Sequence, residues 1–384
     1  MESKKRKRDS GKAKSERSKP TTVFEPKKED AVDTTKPTAV FEPKEGRAYT
    51  LSIALPGSII ANAQTPELQS LLAGQIARAL AVFCVDEVII FDDGHVKTAH
   101  SSNEDFSHTQ ENGFSKESYT GYSDPNYFLT HILAYLETPP YLRKHLFPIH
   151  PDLRHAGSLP SLDMPHHLRQ NEWCQYREGV TVEDIPRGKE KKTWRIPPSH
   201  SFIDTGLRER VFVPSTIPPN TRVTVKFKGV AKPEMISGGE LLADAVAPSA
   251  PREEAGYYWG YSVRSADSLS AVLTECPFDG GYDMTFGTSE RGIPLSNFND
   301  TSSGQPSVPE FKHLLVVFGG VAGLEVAVKA DEELERLGVK SPEALFDHWV
   351  NLCPGQGSRT IRTEEAVWLG LMGLRGLVLN RGKR

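Results

Sequence analysis

Glycine, arginine and carboxylate residues lie close together between residues 351 and 366, near the C-terminus of the chain. Gly355 and Gly357 allow the backbone to come close to a ligand. Arg359 adds a guanidinium group that can hold a phosphate or stabilise a developing anion. Glu364 is a candidate proton acceptor, although the predicted start of a helix here gives its charge a structural alternative. The segment therefore predicts a ligand-binding loop with acid–base chemistry.

Two further glycine-containing segments follow predicted strands in the C-terminal half. Residues 287–292 contain Glu290, a second candidate proton acceptor, and Arg291, while Gly319-Gly320 follow the next strand. In open parallel α/β sheets, ligands bind outside the carboxyl ends of the strands. Taken singly, each segment could serve only to close a tight turn. Together with the loop described above, they predict one shared pocket.

The C-terminal glycine loop does not match the common nucleotide or hydrolase motifs. Gly355-Gln356-Gly357-Ser358-Arg359-Thr360 begins like G-x-G-x-x-G but lacks the third glycine. The chain also contains no G-x-x-x-x-G-K-[ST] and no G-x-S-x-G sequence. These observations argue against a Rossmann dinucleotide site, a P-loop and a serine hydrolase.

Hydrophobic periodicity predicts the elements that must position these loops. Alternation over Leu51–Leu55 predicts a strand. Thr65 and Pro66 predict the start of a helix whose apolar spacing continues to Phe83. Val88–Phe91 is a second apolar run. Strand, helix and strand in this order predict a βαβ unit with a buried parallel sheet.

The middle of the chain has a different pattern from its two flanks. Short alternating runs separated by Pro, Gly and Asn predict an antiparallel β-barrel of OB size. Beyond it, the sequence predicts strands at Tyr282–Phe286, His313–Phe318 and Ala344–Leu352 and a helix from about Thr363. The expected fold is α/β with an inserted OB-like β-barrel. The predicted divisions are 1–48 (disordered basic tail), 49–174 and 257–384 (halves of the α/β domain) and 175–256 (barrel).

Charge is distributed unevenly along the 384 residues, whose formal net charge is −4. Residues 1–48 carry 14 Lys or Arg and 9 Asp or Glu, a balance of +5, so the remainder sums to −9. Any nucleic-acid surface on the folded part must therefore be a local patch. Lys191, Lys192, Trp194 and Arg195 form one candidate, because cations flank a ring on which bases could stack. The alternative is an exposed basic loop.

Cysteine and histidine usage does not predict a metal site. The 4 cysteines are widely separated and none forms a C-x-x-C pair, which favours a reducing compartment. Histidines between residues 150 and 167 lie near Cys174, but no pair has zinc-finger spacing. We therefore expect no metal, and these histidines could instead face RNA or the active site.

The N-terminal tail has two features of its own. Lys4–Arg8 predicts a nuclear-import signal, with a solvated charge run as the alternative. Lys19–Lys27 recurs almost unchanged as Lys36–Lys44, and such Pro-rich copies are expected to be disordered. They could be paired short linear motifs or a neutral duplication. No long apolar run or signal-peptide core is present, so we expect neither secretion nor membrane insertion.

Several of these motifs together resemble those of the SPOUT-class RNA methyltransferases. The resemblance rests on Leu-Pro-Gly-Ser at 55–58, Gly-Thr-Ser-Glu-Arg-Gly at 287–292, Val-Phe-Gly-Gly at 317–320 and the run from Cys353 to Glu365. It is strongest for the eukaryotic and archaeal branch with a β-barrel insert, and it covers nearly everything from residue 49 onward. It implies a C-terminal trefoil knot, bound S-adenosylmethionine and a homodimer whose active sites use both chains.

The resemblance also assigns expected roles. It implies an RNA methyltransferase acting on a base nitrogen, with uridine of ribosomal RNA as the favoured target, and Arg359, Glu364 and Glu290 as catalytic residues. The rival expectation is an RNA-binding or mitotic scaffold with little activity, since the branch includes centromere-associated animal members. A nuclear location is expected, with spindle or kinetochore proteins as further partners. The implied cofactor-binding residues are Arg291, Gly319, Gly320, Asn351, Gly355, Gln356, Gly357, Thr360 and Thr363.

Overall fold

A computed structural model describes residues 38–94, 124–183, 199–228, 240–298 and 308–383. Eleven strands lie in these ranges and form one open sheet and one closed barrel. In chain order they are β1 (Thr50–Pro56), β2 (Glu87–Phe91), β3 (Tyr176–Thr181), β4 (Ser201–Asp204), β5 (Arg210–Val213), β6 (Arg222–Phe227), β7 (Glu240–Val246), β8 (Ser262–Ala266), β9 (Met284–Pro294), β10 (His313–Val317) and β11 (His348–Asn351).

The described residues also form α-helices and short 3-10 helices that connect the strands. The α-helices are α1 (Thr38–Phe41), α2 (Pro66–Phe83), α3 (Pro125–Glu137), α4 (Pro140–Leu146), α5 (Ala250–Ala255), α6 (Leu269–Thr274), α7 (Leu324–Ala330), α8 (Glu332–Arg336) and α9 (Thr363–Arg381). The 3-10 helices are Gly57–Asn62, Pro151–Leu153, Ala156–Ser158, Leu295–Phe298 and Pro342–Leu345.

The open sheet has six strands in the order β11-β9-β10-β1-β2-β8, and every neighbouring pair is parallel. One face packs against α2, α3 and α9, and the other against α6, α7 and α8. Because helices cover both faces of the sheet, the central strands are buried. This burial explains why the sequences of β1 and β2 are mostly apolar. The predicted βαβ unit is confirmed, with Thr65 capping α2 through the Leu68 amide.

The second sheet is a closed barrel of five strands in the order β3-β4-β5-β7-β6. Its neighbours pair antiparallel except β5 and β7, which are parallel. Alternate residues such as Ile203, Val211 and Val225 fill its interior. The barrel strands lie in the sequence between β2 and β8, which pair with each other in the open sheet. The barrel is therefore inserted into the α/β unit, as the sequence predicts.

A buried ion-pair network joins the barrel to the α/β unit. Arg222 of β6 contacts Glu137 of α3 at 2.6 Å and Glu178 of β3 at 2.7 Å. Burial opposes the ionisation of Glu137, but the charge of Arg222 and a hydrogen bond from His166 lower the pKa of its carboxyl well below the ordinary value. The paired charges hold the two units in one arrangement.

Two predicted strand boundaries are wrong. The strand expected to close at Phe286 continues as β9 to Pro294, because Ile293 and Pro294 pair with β11 beyond a shift in register. The strand expected from Ala344 begins at His348, since Pro342–Leu345 forms a 3-10 helix. Part of the second tail repeat is helical (α1), and Val40 packs against the main core. The first repeat copy and Lys4–Arg8 lie outside the described residues.

Candidate active site

Residues 288–292, which bulge out within β9, meet the loops that follow β10 and β11 at one edge of the open sheet. They enclose a cavity of about 310 Å³ that is lined by residues of 288–291, 319–325 and 351–361, together with Ala366 of α9. Most of the residues expected to bind a cofactor or to act in catalysis line this cavity. They are Glu290, Arg291, Gly319, Gly320, Asn351, Gln356, Arg359 and Thr360.

Asn351 ties the first and third loops together. Its Nδ2 donates a hydrogen bond of 2.7 Å to the carbonyl oxygen of Glu290, and its Oδ1 accepts one of 3.0 Å from the Cys353 amide. Residues 288–292 loop out between two sections of paired strand, which brings the Glu290 carbonyl within reach. Asn351 is thus a residue that shapes the site as well as one that lines it.

The second loop is close-packed around glycine. A Cβ built at Gly319 would lie 2.9 Å from the carbonyl carbon of Gly323, so a side chain there would displace backbone. Gly323 itself has φ +76, which favours glycine. At Gly320 a Cβ would meet its nearest atoms at 3.6 Å, an ordinary contact. A Cβ therefore fits at Gly320 but not at Gly319, and both glycines line the cavity.

Four of the expected site residues do not line the cavity. Gly355 and Gly357 are exposed, with no atom within 4 Å of a built Cβ, and Gly355 has φ +74. Thr363 is buried and acts on the second loop, because its Oγ1 donates a hydrogen bond of 2.9 Å to the Gly319 carbonyl. Glu364 is buried in the first turn of α9, where a negative charge is favoured.

Charge at the cavity comes from two arginines and two glutamates. Arg291 forms an ion pair with Glu325, a lining residue that the sequence did not single out. Arg359 and Glu290 are exposed at the cavity. The ranges that the structure describes contain no ion-pair partner for Arg359. Its guanidinium is available to an anionic group at the mouth of the cavity.

Ser58 and Asp93 adjoin the site but were missed as site residues. Ser58 Oγ donates a hydrogen bond of 2.6 Å to Asp93 Oδ2, and both side chains are buried. The pair lies beside Gly320, since a Cβ at Gly320 would lie 3.6 Å from each of these two atoms. Their positions directly after β1 and β2 were the signal, because these strands end at the same edge as the three loops.

Four of the histidines between residues 131 and 167 form two separate groups. His166 and His167 both contact the backbone carbonyl of Glu137, at 3.1 and 2.6 Å. His131 and His150 contact Asp152 Oδ2 at 3.2 and 3.1 Å. The latter three residues form the only metal-compatible cluster found in the described ranges.

Two sequence predictions concern other surfaces of the protein. The candidate RNA contacts Lys191, Lys192, Trp194 and Arg195 lie outside the described residues. Within the described ranges, no helix combines the length and apolar character needed to cross a membrane.

An open parallel sheet with glycine loops around a cavity at its carboxyl edge is typical of α/β proteins that bind a ligand at that edge. The family described as "Putative RNA methyltransferase" matches residues 50–374. The match covers most of the chain, and the chain belongs to this family.

Curated relatives extend the comparison. The chain is 46% identical over 340 residues to the "28S rRNA (uridine-N(3))-methyltransferase" of Homo sapiens, covering 88% of this chain and 81% of the human protein. It is 45% identical to the mouse protein of the same name, over 88% of this chain and 80% of that one. The Drosophila melanogaster protein of that name is 45% identical over 85% of this chain and 61% of its own length.

Proposed function

We propose that this chain is an S-adenosylmethionine-dependent RNA methyltransferase that methylates N3 of a uridine in ribosomal RNA. The observation that carries the proposal is the cavity formed where the three glycine-containing loops converge, in a member of an RNA methyltransferase family. The names of the human and mouse relatives, 28S rRNA (uridine-N(3))-methyltransferases, support the choice of uridine N3.

The residues present fit such a cofactor. Gly319 and Gly320 line the cavity without side chains of their own, so their backbone can lie against a flat ring and a ribose. Gln356 and Thr360 offer polar atoms in the same cavity. Gly355, Gly357 and Thr363 do not line the cavity but shape it. The two glycines set the path of the loop, and Thr363 donates a hydrogen bond to the Gly319 carbonyl. When bound, S-adenosylmethionine supplies an electrophilic methyl group on a positively charged sulfur.

The remaining chemistry falls to the side chains around the cavity. Uridine N3 must lose its proton as it is methylated, and Glu290, exposed at the mouth, is the proposed acceptor. Arg359 stabilises the negative charge that develops on the base. Glu364, the other expected acceptor, does not line the cavity, and its negative charge is favoured in the first turn of α9, so we propose a structural role for it.

We also propose the trefoil knot and the OB assignment. The chain leaves edge strand β11, passes the Gly319 loop and enters α9, which packs against α2 near the centre of the sheet. This path over neighbouring strands supports a knotted C-terminus. The barrel order, with a single parallel pair between its third and fifth strands, supports an OB-type barrel.

A homodimer is the proposed assembly. Trp368, Met372 and Leu379 recur on one stripe of α9 and are 36%, 66% and 47% exposed. Leu68 and Leu71 on α2 are 50% and 45% exposed. Large apolar side chains on two adjacent helices support a partner surface. A nuclear location and spindle or kinetochore partners remain proposals that rest on Lys4–Arg8 and on the family resemblance.

Calorimetric titration of the full chain with S-adenosylmethionine tests the proposal, beside Gly320→Trp and the matched control Gly157→Trp. Gly157 lies in the exposed turn Ala156–Ser158, with no atom within 4 Å of a built Cβ. We expect saturable binding that is lost in Gly320→Trp only, and N3-methyluridine in a ribosomal RNA fragment by nucleoside mass spectrometry. A folded protein that neither binds the cofactor nor methylates that RNA would refute the proposal.

A further inference from the structure

Two histidines and one aspartate converge where α3 meets the segment that leads towards the barrel. His131 lies in α3, whereas His150 is the N-cap residue of the 3-10 helix Pro151–Leu153, which contains Asp152. Asp152 Oδ2 is 3.2 Å from His131 Nδ1 and 3.1 Å from His150 Nδ1. All three atoms lie within 4.8 Å of one another. The three side chains therefore present two ring nitrogens and a carboxylate oxygen to one small volume.

Hydrogen bonds alone do not satisfy this group of atoms. His150 Nδ1 accepts a hydrogen bond of 3.3 Å from the Asp152 amide, and a ring nitrogen that accepts carries no proton. Its 3.1 Å contact with Asp152 Oδ2 then sets two acceptors against each other. The second oxygen, Asp152 Oδ1, is buried and has no hydrogen-bond partner among the residues that the structure describes. A buried carboxylate in these surroundings is costly unless a cation binds it.

The spacing of the three atoms suits a small divalent transition metal. Zinc binds histidine nitrogen at ~2.0–2.1 Å and carboxylate oxygen at ~2.0–2.2 Å, with tetrahedral geometry. Such bonds place neighbouring ligand atoms about 3.3 Å apart. The separations of 3.1 and 3.2 Å between Asp152 Oδ2 and the two ring nitrogens are close to this value. Imidazole ligands also favour zinc and its neighbours over magnesium and calcium, which prefer oxygen.

The surroundings hold the ligand side chains in place. The His131 ring stacks on Phe147, with centroids 5.8 Å apart and planes 21° apart, and it meets the His150 ring edge-on at 4.8 Å. The Asp152 side chain is 1% exposed, and those of His131 and His150 are 11% and 15% exposed. The site is thus shielded but still reaches the surface. Three protein ligands leave a fourth position for water.

We propose that His131, His150 and Asp152 bind a divalent metal ion of the zinc class, with water as the fourth ligand. None of the three residues lines the methyl-transfer cavity, so the ion is assigned a structural role. It fastens the turn Pro151–Leu153 to α3, the helix whose Glu137 contacts the barrel. The inference is independent of the proposed function, and it reverses the expectation of no metal. Spacing in the sequence did not predict the site, because His131 lies in a different element from the other two ligands.

Zinc titration of the full chain, after treatment with a chelator, tests the inference. Asp152→Asn removes the negative charge with little change of shape, and His150→Asn removes the ring but keeps a residue that can cap the turn. His155→Gln is the matched control, since His155 lies in the same segment but outside the cluster. We expect one zinc ion per chain in wild type and in the control. The two ligand variants should bind zinc at least roughly 100-fold more weakly, beyond the ~10–100-fold loss caused by removing an outer-shell partner.

Thermal unfolding provides the second readout. Because the ion binds the folded state, the Tm of wild type and of His155→Gln should rise with zinc concentration, whereas the Tm of Asp152→Asn and His150→Asn should not respond. Affinity for S-adenosylmethionine should be the same in all four proteins, since the site is separate from the cavity.

Two results would overturn the inference. One is equal zinc affinity in wild type and both ligand variants, which would place the ion elsewhere. The other is a folded, chelator-treated wild type that does not bind zinc, which would leave a protonated His150 as the cation beside Asp152. If zinc binds as expected but cofactor binding and methyl transfer are absent, the proposed function fails and the metal site stands.

Discussion

Replacing Asn351 tests whether the side chain that joins two loops also sets the affinity for the cofactor. Asn351→Ala removes the 2.7 Å bond to the Glu290 carbonyl and the 3.0 Å bond to the Cys353 amide. A net hydrogen bond contributes about 0.5–1.5 kcal/mol, and the lower half of that range applies because Asn351 is half-exposed. Two such bonds amount to about 1–2 kcal/mol, which corresponds to a roughly 5- to 30-fold loss of affinity.

Asn351→Asp is a sharper version of the same test. The introduced carboxylate can still accept from the Cys353 amide, but its other oxygen would face the Glu290 carbonyl at about the present 2.7 Å. Two acceptors at this distance repel, so affinity should fall below that of Asn351→Ala at neutral pH. Below about pH 4, protonation of the carboxyl restores a donor and should recover part of the loss.

Calorimetric titration with S-adenosylmethionine across this pH range is the assay, with thermal unfolding as the control for global stability. The reasoning is refuted if Asn351→Ala binds the cofactor as tightly as wild type. It is also refuted if Asn351→Asp matches Asn351→Ala at every pH.

Three further outcomes are expected. Arg222→Met leaves Glu137 and Glu178 buried without their cation and should lower the free energy of unfolding by about 3 kcal/mol. This value is the lower end of the range for breaking a buried ion pair, because the Arg222 side chain is 31% exposed. Denaturant unfolding measures this, and an unchanged midpoint contradicts it. Burial, and then the charge of His166, lower the pKa of His167 to about 3, whereas an unfolded histidine titrates near 6.5. The unfolded chain therefore binds more protons between these values, and stability should fall as pH decreases from about 6.5 towards 3. The loss of stability with decreasing pH should be smaller in His167→Gln than in wild type. Parallel curves of stability against pH for the two proteins would exclude a contribution from His167. Met372→Lys introduces a charge into the exposed stripe of α9, so the variant should sediment as a monomer where wild type sediments as the proposed dimer. A variant that still sediments as a dimer would show that the interface lies elsewhere.

The sequence predicted those elements whose signals are local. β1, α2 and β2 follow from alternation, a Thr-Pro cap and an apolar run, and the loops around Gly319 and Gly355 follow from glycine after a strand. Contacts between distant segments could not be read in this way. β9 extends past Gly287 because Ile293 pairs with Val350 in the neighbouring strand.

The candidate site shows the same difference between local features, which the sequence predicts, and contacts between distant segments, which it does not. Eight of the lining residues were predicted, because they lie within the loops themselves. The bond from Thr363 to the Gly319 carbonyl spans 44 residues, and that from Ser58 to Asp93 spans 35. Neither pairing leaves a periodicity or a motif in the sequence. Thr363 was therefore expected to contact the cofactor. In the structure its hydroxyl instead donates a hydrogen bond to the Gly319 carbonyl, in a loop that lines the cavity.

The pairing of β1 with β10 has a consequence for how the chain acquires its structure during synthesis. Thr50 lies opposite His313, so the centre of the open sheet stays incomplete until most of the polypeptide has left the ribosome. All barrel strands lie between Tyr176 and Val246 and pair only with one another. The barrel can therefore close early, whereas β1 and β2 keep unpaired edges until β8 and β10 have been synthesised.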